Sequence, residues 1–335
     1  MWLLLVNVVS TFSGCGGSSL GYKMSGFNVI FATDFETNAV NTYKLNFPKT
    51  KVIQKNIREL TGQQILKETG LKKGELDILD GSPPCTPFSM AGLREKGWNR
   101  SYKHGSETQA QRSDDLFDEY IRLIRELKPK IFIGENVRGL INGKSKGYFN
   151  HILRTMKKLG YIIRVLDIDA KDFGVPQVRR RIVFIGIRKD CFKAWKPLMT
   201  YKEITFRQAT ADLKPTKEEI LESTPTDKNA KTVQIAFNMM KPGESASKYH
   251  PRRLYFGHLK LAWDEPSPTV ICHSHQLSHP KEKRYLTLME CKRISSFPDD
   301  FKFTSRNDGF TRMGNSVPPV LMKHISRYAV GCSTI

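Results

Sequence analysis

The sequence predicts an α/β protein: one large domain on a largely parallel sheet, and a second, smaller domain. Three observations predict it. Strand-like and helix-like segments alternate through residues 1–188. A glycine-rich turn directly follows the first strand candidate. From 189 to 283 the chain turns polar and Lys-rich with few periodic patterns, and regular patterning returns over 284–335.

The first strand candidate is residues 3–10. The opening Met1-Trp2-Leu3-Leu4-Leu5-Val6 has neither the basic start nor the small-residue cleavage site of a leader, so it reads as the beginning of a buried strand. Further strand candidates are 28–33, 76–80, 130–133, 161–168 and 181–188. The clearest helix is 114–128, where Leu116, Tyr120, Leu123, Ile124 and Leu127 share one face and Pro129 stops the pattern. Residues 89–113 read as a long loop carrying Arg94, Lys96, Trp98, Arg100 and Lys103. A plain connector would be shorter. Ligands of such sheets sit at the carboxyl ends of the strands.

Composition narrows the class. At 335 residues with 39% hydrophobic content, the chain can bury a real core and is not wholly disordered. A net charge of +21 and a pI near 9.7 point to an anionic partner, because phosphate backbones attract such surfaces without reading sequence. Six cysteines with no CxxC pair suggest no disulfide framework and fit a reducing cytosol. No apolar run reaches the roughly 20 residues of a membrane helix.

Five groups of residues carry chemistry. Phe12-Ser13-Gly14-Cys15-Gly16-Gly17 follows the first strand, and its glycines allow a tight turn and close approach to a cofactor. Asp34, at the end of the second strand, can accept hydrogen bonds from the ribose hydroxyls of an adenosine moiety. These two alone fit many nucleotide-binding folds, dehydrogenases included. In Asp80-Gly81-Ser82-Pro83-Pro84-Cys85, two prolines fix the backbone so that the Cys85 sulfur is rigidly presented at a strand end. A thiolate there is a candidate nucleophile. Glu135-Asn136-Val137 follows another strand candidate and places an acid toward the same cleft. Gln177, Arg179 and Arg181 alternate, so as a strand they would share one face, and two guanidinium groups suit a phosphate or a base carbonyl. Near the C-terminus, Gly314-Asn315-Ser316-Val317-Pro318-Pro319 offers Asn315 and Ser316 at a turn, suited to a cofactor tail. Cys272, His273, His275 and His279 match no common zinc spacing, and no metal is expected.

In this order, the groups resemble the bacterial cytosine-5 DNA methyltransferases across nearly the whole chain, residues 189–283 excepted. The resemblance implies a doubly wound, mostly parallel sheet of the class I S-adenosylmethionine-dependent methyltransferase type. It implies a catalytic and cofactor-binding domain at 1–188, a target-recognition domain at 189–283, and a segment at 284–335 that returns to the large domain. Phe12, Gly14, Gly16, Asp34, Asn56, Asn315 and Ser316 would contact S-adenosyl-L-methionine. Cys85 would be the nucleophile and Glu135 the acid at the cytosine edge, with Arg179 and Arg181 on the flipped nucleotide. The chain departs from the usual pattern at Thr86 and Ser295, where Gln is common, at Asn56, where Asp usually meets the adenine, and at Asp34, where Glu is more frequent.

The chemistry needs these groups. Carbon 5 of cytosine is a poor nucleophile until a thiolate adds to carbon 6. A paired cytosine hides carbon 6, so the base must flip out. The 89–113 loop is the expected cover, and Lys241, Lys248, Arg252, Arg253 and Lys260 are expected DNA contacts. The expected partner is double-stranded DNA, bound by a cytoplasmic monomer, with a cognate restriction endonuclease left open. Two rival readings stay open: methylation of transfer RNA, and a catalytically silent DNA-binding relative. A dehydrogenase would explain the glycine turn and Asp34 but neither Pro83-Pro84-Cys85 nor Glu135-Asn136-Val137.

Overall fold

The computed structural model describes residues 5–84, 101–102, 111–112, 115–141, 146–224, 237–249, 258–272 and 277–335. The chain divides into two units. One comprises Met1–Ile168, Arg180–Met199 and Leu321–Ile335, the other Asp169–Arg179 and Thr200–Val320.

The first unit is built on seven strands: β1 (Asn7–Thr11), β2 (Asn28–Asp34), β3 (Lys51–Gln54), β4 (Ile78–Gly81), β5 (Ile131–Val137), β6 (Tyr161–Asp169) and β7 (Arg180–Arg188). Their spatial order is β3-β2-β1-β4-β5-β7-β6. The pairs from β3 through β5 are parallel, and β7 runs antiparallel to β5. Parallel neighbours need crossovers, which α1 (Gly17–Met24), α2 (Thr37–Asn46), α3 (Gly62–Thr69) and α4 (Leu116–Leu127) supply. After β1 the chain moves one way to β2 and β3, then returns to the other side with β4. That reversal between β1 and β4 marks the crevice where open α/β sheets bind ligands.

Central strands are buried on both faces, so they are apolar without alternation: Val8, Val9, Ile78, Leu79 and Ile131 to Ile133 are fully covered. α4 packs its predicted face inward, with Leu116, Tyr120, Leu123, Ile124 and Leu127 all buried. It ends at Lys128 in a left-handed cap, just before Pro129. Tyr120 donates its hydroxyl hydrogen between the carbonyls of Leu79 and Ile133, each 2.9 Å away, which ties α4 to β4 and β5. Gly81 and Gly134 leave room for that ring, since a Cβ would lie 2.5 Å and 3.2 Å from it.

One strand is new and two expectations need correction. β3 was not foreseen: only Val52 and Ile53 are apolar in this half-exposed edge strand. Glu135 does not follow its strand but lies inside it, because β7 extends the ladder to Val137 opposite Arg181. Gln177, Arg179 and Arg181 do not share a strand face. The strand begins at Arg180, and the buried Gln177 and Arg179 are held by the second unit's own groups, described below.

The second unit carries α6 (Phe206–Thr210), α7 (Lys217–Ser223), α8 (Leu288–Ile294) and α9 (Arg306–Asn315), with α5 (Lys146–Lys158) belonging to the first unit. Thr205, Thr216 and Thr287 close capping boxes on the first three, and Ser305 caps α9. Two short parallel strands, β8 (Leu259–Lys260) and β9 (Leu277–Ser278), join this unit. A bidentate pair, Arg284 with Glu290 at 2.8 and 2.9 Å, is buried within it. No helix among the described residues is long and apolar enough to cross a membrane.

Candidate active site

The ends of β1, β2 and β4 converge on an open cleft of about 320 Å³. Phe12, Phe35, Ile57, Pro84 and Leu116 form its apolar lining, and Thr33, Asp34, Lys55 and Asn56 its polar edge. Phe12 takes a left-handed backbone, φ 51°, unusual for an aromatic residue, and Gly14 follows at φ 53°. The turn is held from β2. Gly14 N donates to Asp34 Oδ2 at 2.8 Å, and Ser13 N and Oγ both donate to the Thr33 carbonyl at 3.1 Å. Asp34 Oδ1 accepts from Glu36 N at 3.0 Å. Gly16 caps α1 against Phe47, where a Cβ would sit 2.3 Å from the ring. The glycine turn and Asp34, twenty residues apart, are thus one structural feature.

Asn56 caps the short turn Ile57–Glu59, its Oδ1 accepting from Arg58 N at 3.1 Å. Only a carbonyl oxygen can receive that hydrogen, so the amide nitrogen is the atom turned to other partners. An aspartate at this place would offer an acceptor where Asn56 offers a donor. The cleft suits an adenosine group: apolar walls for a flat ring, and an acid and an amide at the rim. Thr33 Oγ1, on the same wall, is buried and makes no hydrogen bond among the described residues. A polar atom of this kind is what a polar ligand would satisfy. Lining residues missed in the sequence, such as Thr33, Phe35 and Lys55, carry no motif signal and enter the cleft through their neighbours.

Beside it, Glu135 on β5 pairs with Arg181 on β7, Arg181 Nε to Glu135 Oε1 at 2.7 Å. The two lie diagonally across the antiparallel ladder, Glu135 being opposite Val183. Their side chains are 12% and 14% exposed, so the pair is poorly hydrated yet reachable. Asn136, the next residue, faces the other way and donates to the Pro83 carbonyl at 3.1 Å. It holds the Ser82–Pro84 segment just before Cys85. Its signal in the sequence is an amide directly after Glu135, at the end of a strand that is apolar up to Gly134. Cys85, Thr86 and most of the 89–113 loop lie outside the described residues.

The remaining site residues belong to the second unit. Arg179 donates to the carbonyls of Val270 at 3.1 Å and Gly314 at 2.8 Å. Gln177 donates to Ile294 O at 3.3 Å and Ser295 Oγ at 3.4 Å. Asn315 Oδ1 accepts from Cys272 Sγ at 2.8 Å, and Ser316 Oγ donates to Arg312 O at 2.7 Å. Gly314 is pressed against the Ile271–Cys272 backbone, where a Cβ would meet atoms at 2.5 Å. His279 Nδ1 accepts the backbone N–H groups of Lys281 and Glu282, at 3.3 and 2.9 Å. Among the described residues no group of His, Cys, Asp and Glu could hold a metal ion. His273, His275, Arg252 and Arg253 lie outside them. Lys248 pairs with Glu244, and Lys260 sits 4.1 Å over the Phe237 ring. Lys241 donates its backbone N–H to Glu244 at 2.9 Å.

Comparison with known proteins gives this geometry its setting. Residues 6–330 match the family model of the C-5 cytosine-specific DNA methylase. A Type II methyltransferase of Staphylococcus aureus, M.Sau96I, is 32% identical over 349 residues, covering 97% of this chain and 75% of that protein. M.MthTI of Methanothermobacter thermautotrophicus is 30% identical over 348 residues, 96% of either chain. A solved structure of a candidate DNA modification methyltransferase encoded within an E. coli prophage superposes with a TM-score of 0.76 at 24% identity, over 98% of this chain and 99% of that one. It shows the shared fold, the class I methyltransferase sheet with its antiparallel strand. The chain belongs to the C-5 cytosine-specific DNA methylase family and is an enzyme of that family.

Proposed function

We propose that the protein transfers a methyl group to carbon 5 of a flipped-out cytosine in a specific sequence of duplex DNA, with Cys85 as covalent nucleophile and S-adenosyl-L-methionine as methyl donor. The observation that carries this reading is the gathering in one unit of the cleft with its apolar walls and polar rim of Asp34 and Asn56, the Glu135–Arg181 pair, and the Pro83 carbonyl held by Asn136. Phe12, Gly14, Gly16, Asp34 and Asn56 hold the cofactor in this reading, and the resemblance adds Asn315 and Ser316. When bound, S-adenosylmethionine supplies an electrophilic methyl group.

The chain's own groups do the rest. The Cys85 thiolate forms a bond to carbon 6, and electron density moves through carbon 5 toward ring nitrogen 3. Glu135, sharing a proton with that nitrogen once the base is seated, stabilises the charge that builds there. Arg181 holds Glu135 in place and presents its cation at the base edge. Arg179 is the second proposed contact to the flipped nucleotide. After methylation, loss of the carbon 5 proton re-forms the double bond and expels the Cys85 thiolate. The net charge of +21 favours the DNA backbone. The recognition module is proposed within residues 189–283. A cytoplasmic location and a monomeric state belong to the same reading. A cognate endonuclease stays open, a partner that fits relatives named as Type II methyltransferases.

Methyl transfer from labelled S-adenosylmethionine tests it, with wild type and Cys85→Ala compared on mixed-sequence duplex DNA and on total transfer RNA. Label on DNA cytosine that is lost in the variant is the expected result. Label on transfer RNA alone would overturn the DNA assignment.

A further inference from the structure

Behind the cleft lies a buried polar cluster that none of these steps uses. Asp80, on β4, is 1% exposed. Its Oδ2 accepts from Ser10 Oγ at 2.8 Å and its Oδ1 from the Tyr22 hydroxyl at 3.0 Å. Its backbone carbonyl accepts from Thr11 Oγ1 at 2.9 Å. Ser10 and Thr11 directly precede the Phe12–Gly14 turn. Tyr22 lies in α1, the helix that Gly16 caps. Asp80 itself stands three residues before Pro83, whose carbonyl Asn136 holds from the far side.

A carboxyl group in the middle of a sheet is an expensive choice of side chain. Desolvation disfavours its charge, and burial raises Asp80 to about 7, with the Ser10 and Tyr22 hydrogen bonds opposing and the Glu135 charge adding to the rise. The ionisable groups facing it are Tyr22, Tyr43, Tyr120 and Glu135. Val9 and Leu79 beside the cluster show that apolar residues satisfy these strands. What a carboxyl adds is two acceptors at once, aimed at two different elements.

We propose that Asp80 is a positioning residue for methyl transfer, holding the glycine-rich cofactor turn and the Pro83–Pro84 segment in one frame through Ser10 and Tyr22. The inference rests on the cofactor reading above. Asp80 acts through its two partners. Losing it lets α1 and β1 shift against β4, and the cofactor turn shifts with them.

The test compares wild type with Asp80→Asn, Asp80→Ala, Tyr22→Phe and the Tyr22→Phe/Asp80→Ala double variant. Affinity for S-adenosylhomocysteine is measured by calorimetry, kcat and KM on mixed-sequence duplex DNA, and Tm on each protein. Asp80→Ala and Tyr22→Phe are each expected to weaken S-adenosylhomocysteine binding about tenfold and to lower kcat, with the double variant no worse than the weaker single. Asp80→Asn, which keeps the shape and one acceptor but turns a donor toward one of the two hydroxyls, is expected to fall between wild type and Asp80→Ala. Folded variants that bind and turn over like wild type, whatever their Tm, would overturn the inference, as would losses that simply add. If Asp80→Ala does not fold, Tyr22→Phe decides alone. Wild type that binds no S-adenosylhomocysteine would overturn the cofactor reading and this inference together; wild-type binding with unchanged variants would overturn this inference only.

Discussion

The two units hold their polar groups in contrasting ways. In the first, partners come from far apart in sequence: Ser10 and Asp80 are 70 residues apart, Tyr22 and Asp80 are 58, Asn136 and Pro83 are 53, and Gly14 and Asp34 are 20. In the second, long ties occur too, Gln177 to Ile294 across 117 residues and Arg179 to Gly314 across 135, but three helix starts are also closed within three residues, Thr205 with Gln208, Thr216 with Glu219 and Thr287 with Glu290. Long-range ties make a frame in which no strand end moves alone, and chemistry with sub-ångström tolerances needs that. Local ties keep each helix intact whatever the segments between them become. If the proposed recognition module lies there, it can change what it recognises without losing these helices.

Four experiments would break or sharpen that contrast. The largest effect is expected at the frame's exposed rim. Glu135→Gln should lower the methyl-transfer rate by about 10² to 10⁴-fold while cofactor affinity stays near wild type, as single-turnover kinetics beside calorimetry would show. An equal loss in both would mean that Glu135 supports the cleft instead of the base.

Next comes one of the deeply buried charge pairs of the second unit, Arg284 with Glu290, which has a like pair in Arg312 with Asp308 at 3.0 Å. Arg284→Met leaves Glu290 buried without its partner, which costs about 3–5 kcal/mol in denaturant unfolding. Replacing both residues with Met should recover part of that loss, less what Glu290 contributes by closing the α8 capping box with Thr287. If the single variant is as stable as wild type, local ties dominate this unit more than the structure implies.

Asp80 gives a pH signature of similar ceiling. Its folded-state value, about 7, lies above its ordinary value of 3.8, so between those values the folded protein holds a proton that the unfolded chain has released. Stability from this group is therefore lost as pH rises from about 4 to 7, reaching on the order of 4 kcal/mol. Asp80→Asn lacks this term. The stability difference between the variant and wild type should grow over that interval and level off above it, in urea titrations at a series of pH values. A difference that is constant with pH would contradict the burial assigned to Asp80.

The smallest effect is expected from Gly186→Ala on β7. A Cβ there would lie 2.0 Å from the Phe132 ring, so the core must shift, at about 1–3 kcal/mol. Thermal unfolding would read it, with methyl transfer unchanged once the protein is folded.

What could be read in the sequence follows the same contrast. α4 was legible because its 3.6-residue pattern and Pro129 are local signals. So were the glycine turn, the Pro83–Pro84 segment and Glu135, whose residue types are unusual where they stand. The strand bounds were less so. β5 runs on to Val137 because β7 pairs with it from fifty residues away. The alternation of Gln177, Arg179 and Arg181 looked like a strand face, but two of the three side chains are buried by contacts that periodicity does not encode. The Asp80 cluster left no trace at all. A strand-end acid looks solvent-facing until Ser10 and Tyr22 close over it.

The most direct test of the central claim is covalent capture. In duplex DNA of mixed sequence carrying 5-fluorocytosine, the hydrogen that must leave carbon 5 is replaced by fluorine, so the final elimination is blocked. With S-adenosylmethionine present, wild type should give a denaturant-resistant protein–DNA adduct, and Cys85→Ala, Glu135 and Arg181 being intact, should give none. An adduct that persists in Cys85→Ala, or its absence from wild type that methylates ordinary cytosine in the same DNA, would contradict the Cys85 mechanism.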